Sequence, residues 1–289
     1  MTTHQHYYVP AQSPWPIIGS IALFFIAFGA ARAVDGSSFG FESLGLGFLI
    51  LFGVLFGWFG NVIHESMSGM YSKQMDRSFR LGMMWFIFSE VMFFVAFFSA
   101  LFYIRVFSLP WIAGEGAKGI TGEILYPHFE YVWPLLKNPS DAFIGATGVV
   151  PTWGIPALNT VLLLSSGVTL TWAHWALKMN KHAQVILGLS LTVILGLIFL
   201  SFQVYEYYHA HHEFNLTLGS GAYGSTFYML TGFHGLHVTF GVTMLTVILI
   251  RSLKRHFTPE HHFAFEAVAW YWHFVDFVWL ALFVFVYWL

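Results

Sequence analysis

The sequence contains no cysteine. Disulfides, thiolate metal sites and cysteine nucleophiles are therefore excluded together, and nothing in the chain reports on the redox state of its compartment. Charge is almost as scarce. Of the 289 residues, 9% are Asp, Glu, Lys or Arg, against about 25% in a soluble globular domain. The formal net charge is −2, so no basic field speaks for nucleic acid. Gly-rich phosphate loops, nucleophile elbows and HExxH metalloprotease motifs are missing too; His64-Glu65 lacks the second histidine such a motif needs. The N-terminal MTTHQHYYVPAQSPWP lacks the basic head, short apolar core and cleavage site of a signal peptide, so insertion is expected to begin with the first span. There is no internal repeat and no low-complexity tract.

What is abundant is apolar surface. Hydrophobic residues make up 57% and aromatic residues 20% of the chain. That composition cannot cover a water-facing surface, and the chain is expected to be an integral membrane protein. A bilayer core takes roughly 20 mainly apolar residues per helix, and seven such runs occur: 15–33, 43–63, 81–107, 157–177, 184–208, 225–250 and 264–288. Single strands cannot cross lipid with their backbone groups satisfied, so the expected fold is an all-α, polytopic bundle of seven transmembrane helices in one membrane domain, 1–289. Breaks fall at Asp35 to Ser38, Lys73 to Arg80, Lys178 to His182, Gly219 to Gly221 and Arg251 to Pro259. The one long connection, 108–156, is rich in Pro, Gly and aromatics that suit an interface. Lys73, Arg77, Arg80, Lys178, Lys181, Arg251, Lys254 and Arg255 share one side, against Arg32, Arg105, Lys118 and Lys137 on the other. The positive-inside rule then places the N-terminus inside, and the C-terminus and the 108–156 loop outside. Small residues such as Ser165-Ser166-Gly167, Gly232, Gly235 and Gly241 would let helices approach closely, but for each glycine taken singly the expected reading is ordinary tolerance in a membrane helix.

Polar groups inside the spans carry the functional question. Glu90 lies in FIFSEVMFF, about 15 Å along the helix from Arg80, and a carboxyl group at that depth must find a polar partner. It reads either as a proton-handling group or as an acid that glues a neighbouring helix or chain through one hydrogen bond. In the last span Glu266, His273 and Asp276 fall within a sector about 80° wide, which reads as a buried polar network with His273 and Asp276 paired. His234 and His237 in GFHGLH lie only about 4.5 Å apart along the axis, too close to serve haems at two depths. His174, His234, His237 and His273 read as satisfied core or interfacial histidines. Gln203, Glu206, Tyr207 and Tyr208 approach the outer surface, and the HAHH that follows reads as a loop tract. Arg251, Lys254, Arg255 and His256 form a basic cluster suited to anionic lipid heads. No catalytic residue and no metal ligand is assigned.

Six motifs then form a pattern. SPWP at 13–16, RLGMMWFIFSEVMFF at 80–94, LNTVLLLSSGVTLTWAH at 158–174, EYY at 206–208, YGSTFYMLTGFHGLHV at 223–238 and HHFAFEAVAWYWHFVDFVWL at 261–280 resemble, in order, cytochrome c oxidase subunit III. The resemblance runs from about residue 13 to the C-terminus and is weakest over 108–156, whose length looks more bacterial than mitochondrial. It implies helices one and two (15–63) splayed from helices three to seven (81–288) around a V-shaped cleft filled by phospholipid. It also implies a subunit without redox centres beside subunit I and subunit II, whose haems and copper reduce oxygen with electrons from cytochrome c while protons are pumped. The position matching Glu90 is the family's carbodiimide-reactive acid, associated with subunit I and proton uptake. Lipid contacts map to Trp58, Glu65, Tyr207, His237, Arg251 and Lys254. Where the family often reads Trp-Arg-Asp-Val-x-Arg-Glu, this chain has Phe59-Gly60-Asn61-Val62-Ile63-His64-Glu65, so head-group charge pairing there is in question. The expected location is a bacterial inner membrane, N-terminus cytoplasmic and C-terminus periplasmic, or the mitochondrial inner membrane. Rival readings are the third subunit of a quinol oxidase, a haem-bearing membrane oxidoreductase using the four histidines, and a proton-coupled transporter, for which the paired halves and broken helices of that class are missing.

Overall fold

The computed structural model describes residues 12–140 and 142–289; most of the N-terminal stretch read for a signal peptide lies outside them. Nine α-helices occur among the described residues, with no strand: α1 (Trp15–Val34), α2 (Ser38–Met67), α3 (Lys73–Tyr103), α4 (Leu109–Ile112), α5 (Ile120–Leu125), α6 (Ile155–Lys178), α7 (His182–Phe214), α8 (Ala222–Leu253) and α9 (Phe263–Leu282). A π turn, Ile104–Ser108, joins α3 to α4, and another, Phe283–Trp288, ends the chain's last helix. Pro110 lies just past the first of these. It has no N–H for the preceding turn and its ring crowds the carbonyl below, which a π turn relieves. Among the described residues seven helical stretches are long and apolar enough to cross a membrane: α1, α2, Lys73–Ile112, α6, α7, α8 and Phe263–Trp288. The all-α, seven-span expectation holds.

The helices overrun the apolar runs, because hydropathy marks contact with hydrocarbon whereas the hydrogen-bond ladder continues until something stops it. Two expectations are corrected on this ground. Lys73 to Arg80 is no break but the opening of α3, where Arg80 and Asp76 pair across one turn at 2.8 Å. HAHH, 209–212, is no loop but the end of α7, with the His212 Nδ1–H donating to the Tyr208 carbonyl at 2.9 Å. What stops α7 is Asn215, in the left-handed region at φ 47°, a conformation that ends helices and that Asn tolerates.

The chain divides into two compact units, Met1–Leu81 and Gly82–Leu289. In the first, α1 packs along α2 through small residues. A Cβ on Gly29 would lie 2.5 Å from the Leu44 backbone nitrogen, and one on Gly40 2.3 Å from that of Ala33. The indole of Trp15 fills the space above Gly57, and Ser43 Oγ donates to the Phe25 carbonyl at 3.0 Å.

In the second unit α6 packs on α7 and α9, and α8 on α7 and α9. At its centre is Trp272, fully buried. Its six-membered ring occupies the room left by Gly196 of α7 and Gly241 of α8, while its indole N–H donates to Ser166 Oγ of α6 at 2.9 Å. One side chain thus ties four helices. Gly241 thus has a packing role where tolerance alone is expected, and so, differently, does Gly167, which makes room for the Asp276 carboxylate. A Cβ on Gly235 would meet nothing within 4 Å, so tolerance is the right reading there. From Gly82 onward α3 joins through aromatic rings: Phe86 stacks on Tyr271, Phe93 meets Phe233 edge-on at 5.0 Å, and Phe94 lies 6.2 Å from Phe274.

Candidate functional site

Within that aromatic seam the acid of FIFSEVMFF finds its partner. Glu90 Oε2 of α3 lies 2.9 Å from Nε2 of His237 on α8. The other ring nitrogen, Nδ1, lies 2.6 Å from the Phe233 carbonyl. A carbonyl only accepts, so Nδ1 carries a proton and donates it. Exactly what remains is one proton to share between Nε2 and the carboxylate: either the neutral acid donates to imidazole, or imidazolium donates to carboxylate. Both arrangements leave the pair with no net charge, which is how two titratable groups are tolerated among apolar side chains. The Phe94 ring stands edge-on to the imidazole at 5.0 Å, Phe93 lies 5.9 Å away and Tyr271 is stacked at 6.4 Å. The Glu90 side chain stays 24% exposed and that of His237 10%, so the carboxyl group is reachable from outside the chain while the imidazole is enclosed.

The network expected along α9 divides in two. His273 Nδ1 and Asp276 Oδ2 pair at 3.5 Å, and the far ring nitrogen of His273 lies 3.3 Å from Thr171 Oγ1 of α6. Glu266 does not belong with them. It shares their sector but stands two to three turns lower, about 10–15 Å along the axis at 1.5 Å per residue. Its carboxylate faces His174 of α6 at 3.7 Å and His262 at 3.5 Å. The sequence reading grouped by angle and overlooked depth.

A further buried carboxylate is one that the sequence places only near the outer surface. Glu206 of α7 is almost fully buried and accepts hydrogen bonds from Tyr287 Oη at 2.6 Å and Gln203 Nε2 at 3.5 Å. Tyr207 beside it shares a 2.6 Å hydrogen bond with Thr231 Oγ1 of α8 and lines an open groove with His211, Leu216, Thr217, Leu218 and Tyr228.

The four histidines of the haem reading do not converge. His174 meets Glu266, His237 meets Glu90 and His273 meets Asp276. His234, fully buried, is flanked by the rings of Trp279 at 5.2 Å and Phe199 at 5.9 Å. Each has its own nearest partners among the described residues.

The residues mapped to lipid are distributed over both units. In the first, Trp58 of α2 is half exposed and Glu65, at the end of the same helix, accepts from Tyr71 Oη at 2.8 Å. In the second, the Arg251 guanidinium lies 4.5 Å from the centre of the Phe257 ring, with Lys254 exposed at the end of α8. His256, just beyond, is held below the usual imidazole range by desolvation and by the positive charges of Arg251 and Lys254, so the patch keeps its cationic character through arginine and lysine.

Known proteins match the chain along nearly its full length. The family described as Cytochrome c oxidase subunit III matches residues 4–111 and 140–289; the gap falls inside the long connection. Cytochrome c oxidase subunit 3 of Cyprinus carpio is 40% identical over 285 residues, covering 98% of this chain and 96% of that protein. The proteins of the same name from Tetraodon nigroviridis and Struthio camelus are each 39% identical over 285 residues, with the same coverage. Identity at that level across all seven spans makes this a multi-pass membrane subunit that works in a complex with other oxidase subunits. The chain belongs to the cytochrome c oxidase subunit III family.

Proposed function

We propose that this subunit packs beside subunit I of the oxidase, carries no redox centre itself, holds anionic phospholipid, and sustains proton uptake through Glu90. The observation that carries this reading is the Glu90–His237 pair, whose Oε2 and Nε2 lie 2.9 Å apart with the carboxyl side partly exposed. Such a pair can pass a proton on its open side and end neutral only when one proton enters as another leaves, so it suits relay of a proton rather than its storage. The haems and copper belong to the partner subunits, with subunit II and cytochrome c on the electron-donating side. Arg251, Lys254 and Tyr207 of the second unit, and Trp58 and Glu65 of the first, are the lipid-contacting groups in this proposal. His237 leaves that set, because both of its ring nitrogens are already engaged. The N-terminus lies on the cytoplasmic or matrix side.

The test is Glu90→Ala in the intact oxidase. An interhelical hydrogen bond within a membrane contributes about 0.6 kcal/mol on average and about 1.7 at most, so the variant subunit should still assemble. The initial rate of oxygen reduction is expected to stay near wild type, while the number of turnovers before inactivation falls severalfold. A wild-type turnover lifetime with subunit I still bound would refute the role.

A further inference from the structure

Where α6 ends and α9 begins, three groups with metal-ligating atoms meet. His174 lies in the last turns of α6, His262 immediately precedes α9, and Glu266 stands in the first turn of α9. A spacing of four places His262 and Glu266 on one face. Because α6 packs against α9, His174 approaches them from the opposite helix. Glu266 Oε1 is 3.5 Å from His262 Nε2 and 3.7 Å from His174 Nε2, and the three donor atoms all lie within 4.8 Å of one another. Tetrahedral zinc holds imidazole nitrogen and carboxylate oxygen at about 2.0–2.2 Å, which sets neighbouring donors about 3.3–3.6 Å apart. The 3.5 Å separation matches that edge and the 3.7 Å one lies just outside it.

Two further features point to a cation at this place. His262 Nδ1 donates to the Thr258 carbonyl at 3.2 Å, which fixes its proton on Nδ1 and turns the Nε2 lone pair toward Glu266. Metal-bound imidazoles are commonly oriented by this kind of outer contact. In addition, the Nε2 atoms of both His174 and His262 are buried and make no hydrogen bond among the described residues, although buried polar atoms are nearly always satisfied. The His262 lone pair, aimed at a carboxylate oxygen, is repelled by it unless a positive centre, a proton or a metal ion, stands between them. The side chains of His174, Glu266 and His262 are 17%, 14% and 9% exposed, so an ion here would be largely shielded and still reachable.

We propose that His174, His262 and Glu266 bind a divalent transition metal of the zinc class, tying the end of α6 to the start of α9 and leaving a fourth position for water. Two imidazoles and one carboxylate disfavour calcium and magnesium, which take oxygen ligands.

The test measures zinc in the purified oxidase complex after equilibration with micromolar zinc chloride and desalting. Wild type and the neighbouring-histidine control His261→Ala are expected to retain a single zinc more per complex than His262→Ala or His174→Gln. Loss of a direct ligand should weaken binding by more than the roughly 10–100-fold that loss of an outer partner costs. Equal zinc in all four complexes overturns the proposal. Should the variants fail to assemble, anomalous diffraction at the zinc edge from zinc-soaked crystals of the wild-type complex decides alone: a peak between the three side chains supports the site, and none there refutes it.

Discussion

The α1–α2 hairpin and the helices α6 to α9 cross the membrane with comparable mean hydropathy, 2.1 for each hairpin span against 1.3 to 2.6 for the others, yet they are built on different principles. Only 11% of each hairpin span is buried, against 33–50% of the later four. The hairpin is held by backbone approaching backbone at small residues, and its large side chains point outward. The later helices enclose indoles, hydroxyls, imidazoles and carboxylates, and several of these are hydrogen-bonded by a neighbouring helix. Apolar composition gives insertion in both regions, but lipid tails are as apolar as leucine, so it does not by itself hold helices together. What differs is the glue: shape in one region, polar contacts and shape in the other.

The sharpest way to break the contrast is to spoil the hairpin's shape. Leucine at Gly29 would drive its side chain into the α2 backbone, with Cβ 2.5 Å from Leu44 N and 2.9 Å from Gly40 O. Backbone cannot rotate aside as a side chain can. Overpacking typically costs about 1–3 kcal/mol, occasionally more. Gly29→Leu is expected to part α1 from α2 while leaving the polar bundle intact. Because this chain lacks cysteine, spin labels at Ile17→Cys and Phe56→Cys can report the α1–α2 distance directly. An unchanged distance distribution would show that something besides backbone approach holds the pair.

The bundle's counterpart is Ser166→Ala. It removes the acceptor of the Trp272 indole N–H, a 2.9 Å bond at full burial, and a buried donor left without a partner costs about 1–3 kcal/mol. The midpoint of detergent-induced unfolding should fall accordingly. Combining it with Trp272→Phe, which removes the donor and keeps an aromatic ring, should cost less than the sum of the two single changes. Simple additivity would mean that Trp272 stabilises by filling space between Gly196 and Gly241, with the hydrogen bond incidental.

The same contrast explains which parts were legible in the sequence. Seven apolar runs announce seven helices because hydropathy is a local property, and the long polar extensions of α3 and α7 escape it for the same reason. That Glu90 needs a polar partner follows from its depth. That the partner is His237, at a sequence separation of 147, depends on which helices pack side by side, and periodicity within one helix does not carry that information. Angle alone joined Glu266 to His273 and Asp276, although depth separates them. His262 is quoted within HHFAFEAVAWYWHFVDFVWL but not singled out as a site residue; its spacing of four from Glu266 is the available signal. Trp272 stood among several aromatic residues in AWYWHF, and only the facing glycines of two other helices mark it as the centre.

The smallest expected effect sharpens the contrast from the other side. Ser43 is the hairpin's buried hydroxyl and donates to the Phe25 carbonyl at 3.0 Å. That carbonyl lies in the interior of α1, where the helix ladder already supplies a donor, so Ser43→Ala leaves no group unsatisfied. Average interhelical hydrogen bonds in membranes contribute about 0.6 kcal/mol, and this one replaces nothing essential. Ser43→Ala should therefore shift the unfolding midpoint by less than Ser166→Ala, although both remove one buried serine hydroxyl. If the two cost the same, the distinction between a hairpin held by shape and a bundle held by answered polar groups fails, since the hydroxyl of α2 would then be as indispensable as that of α6.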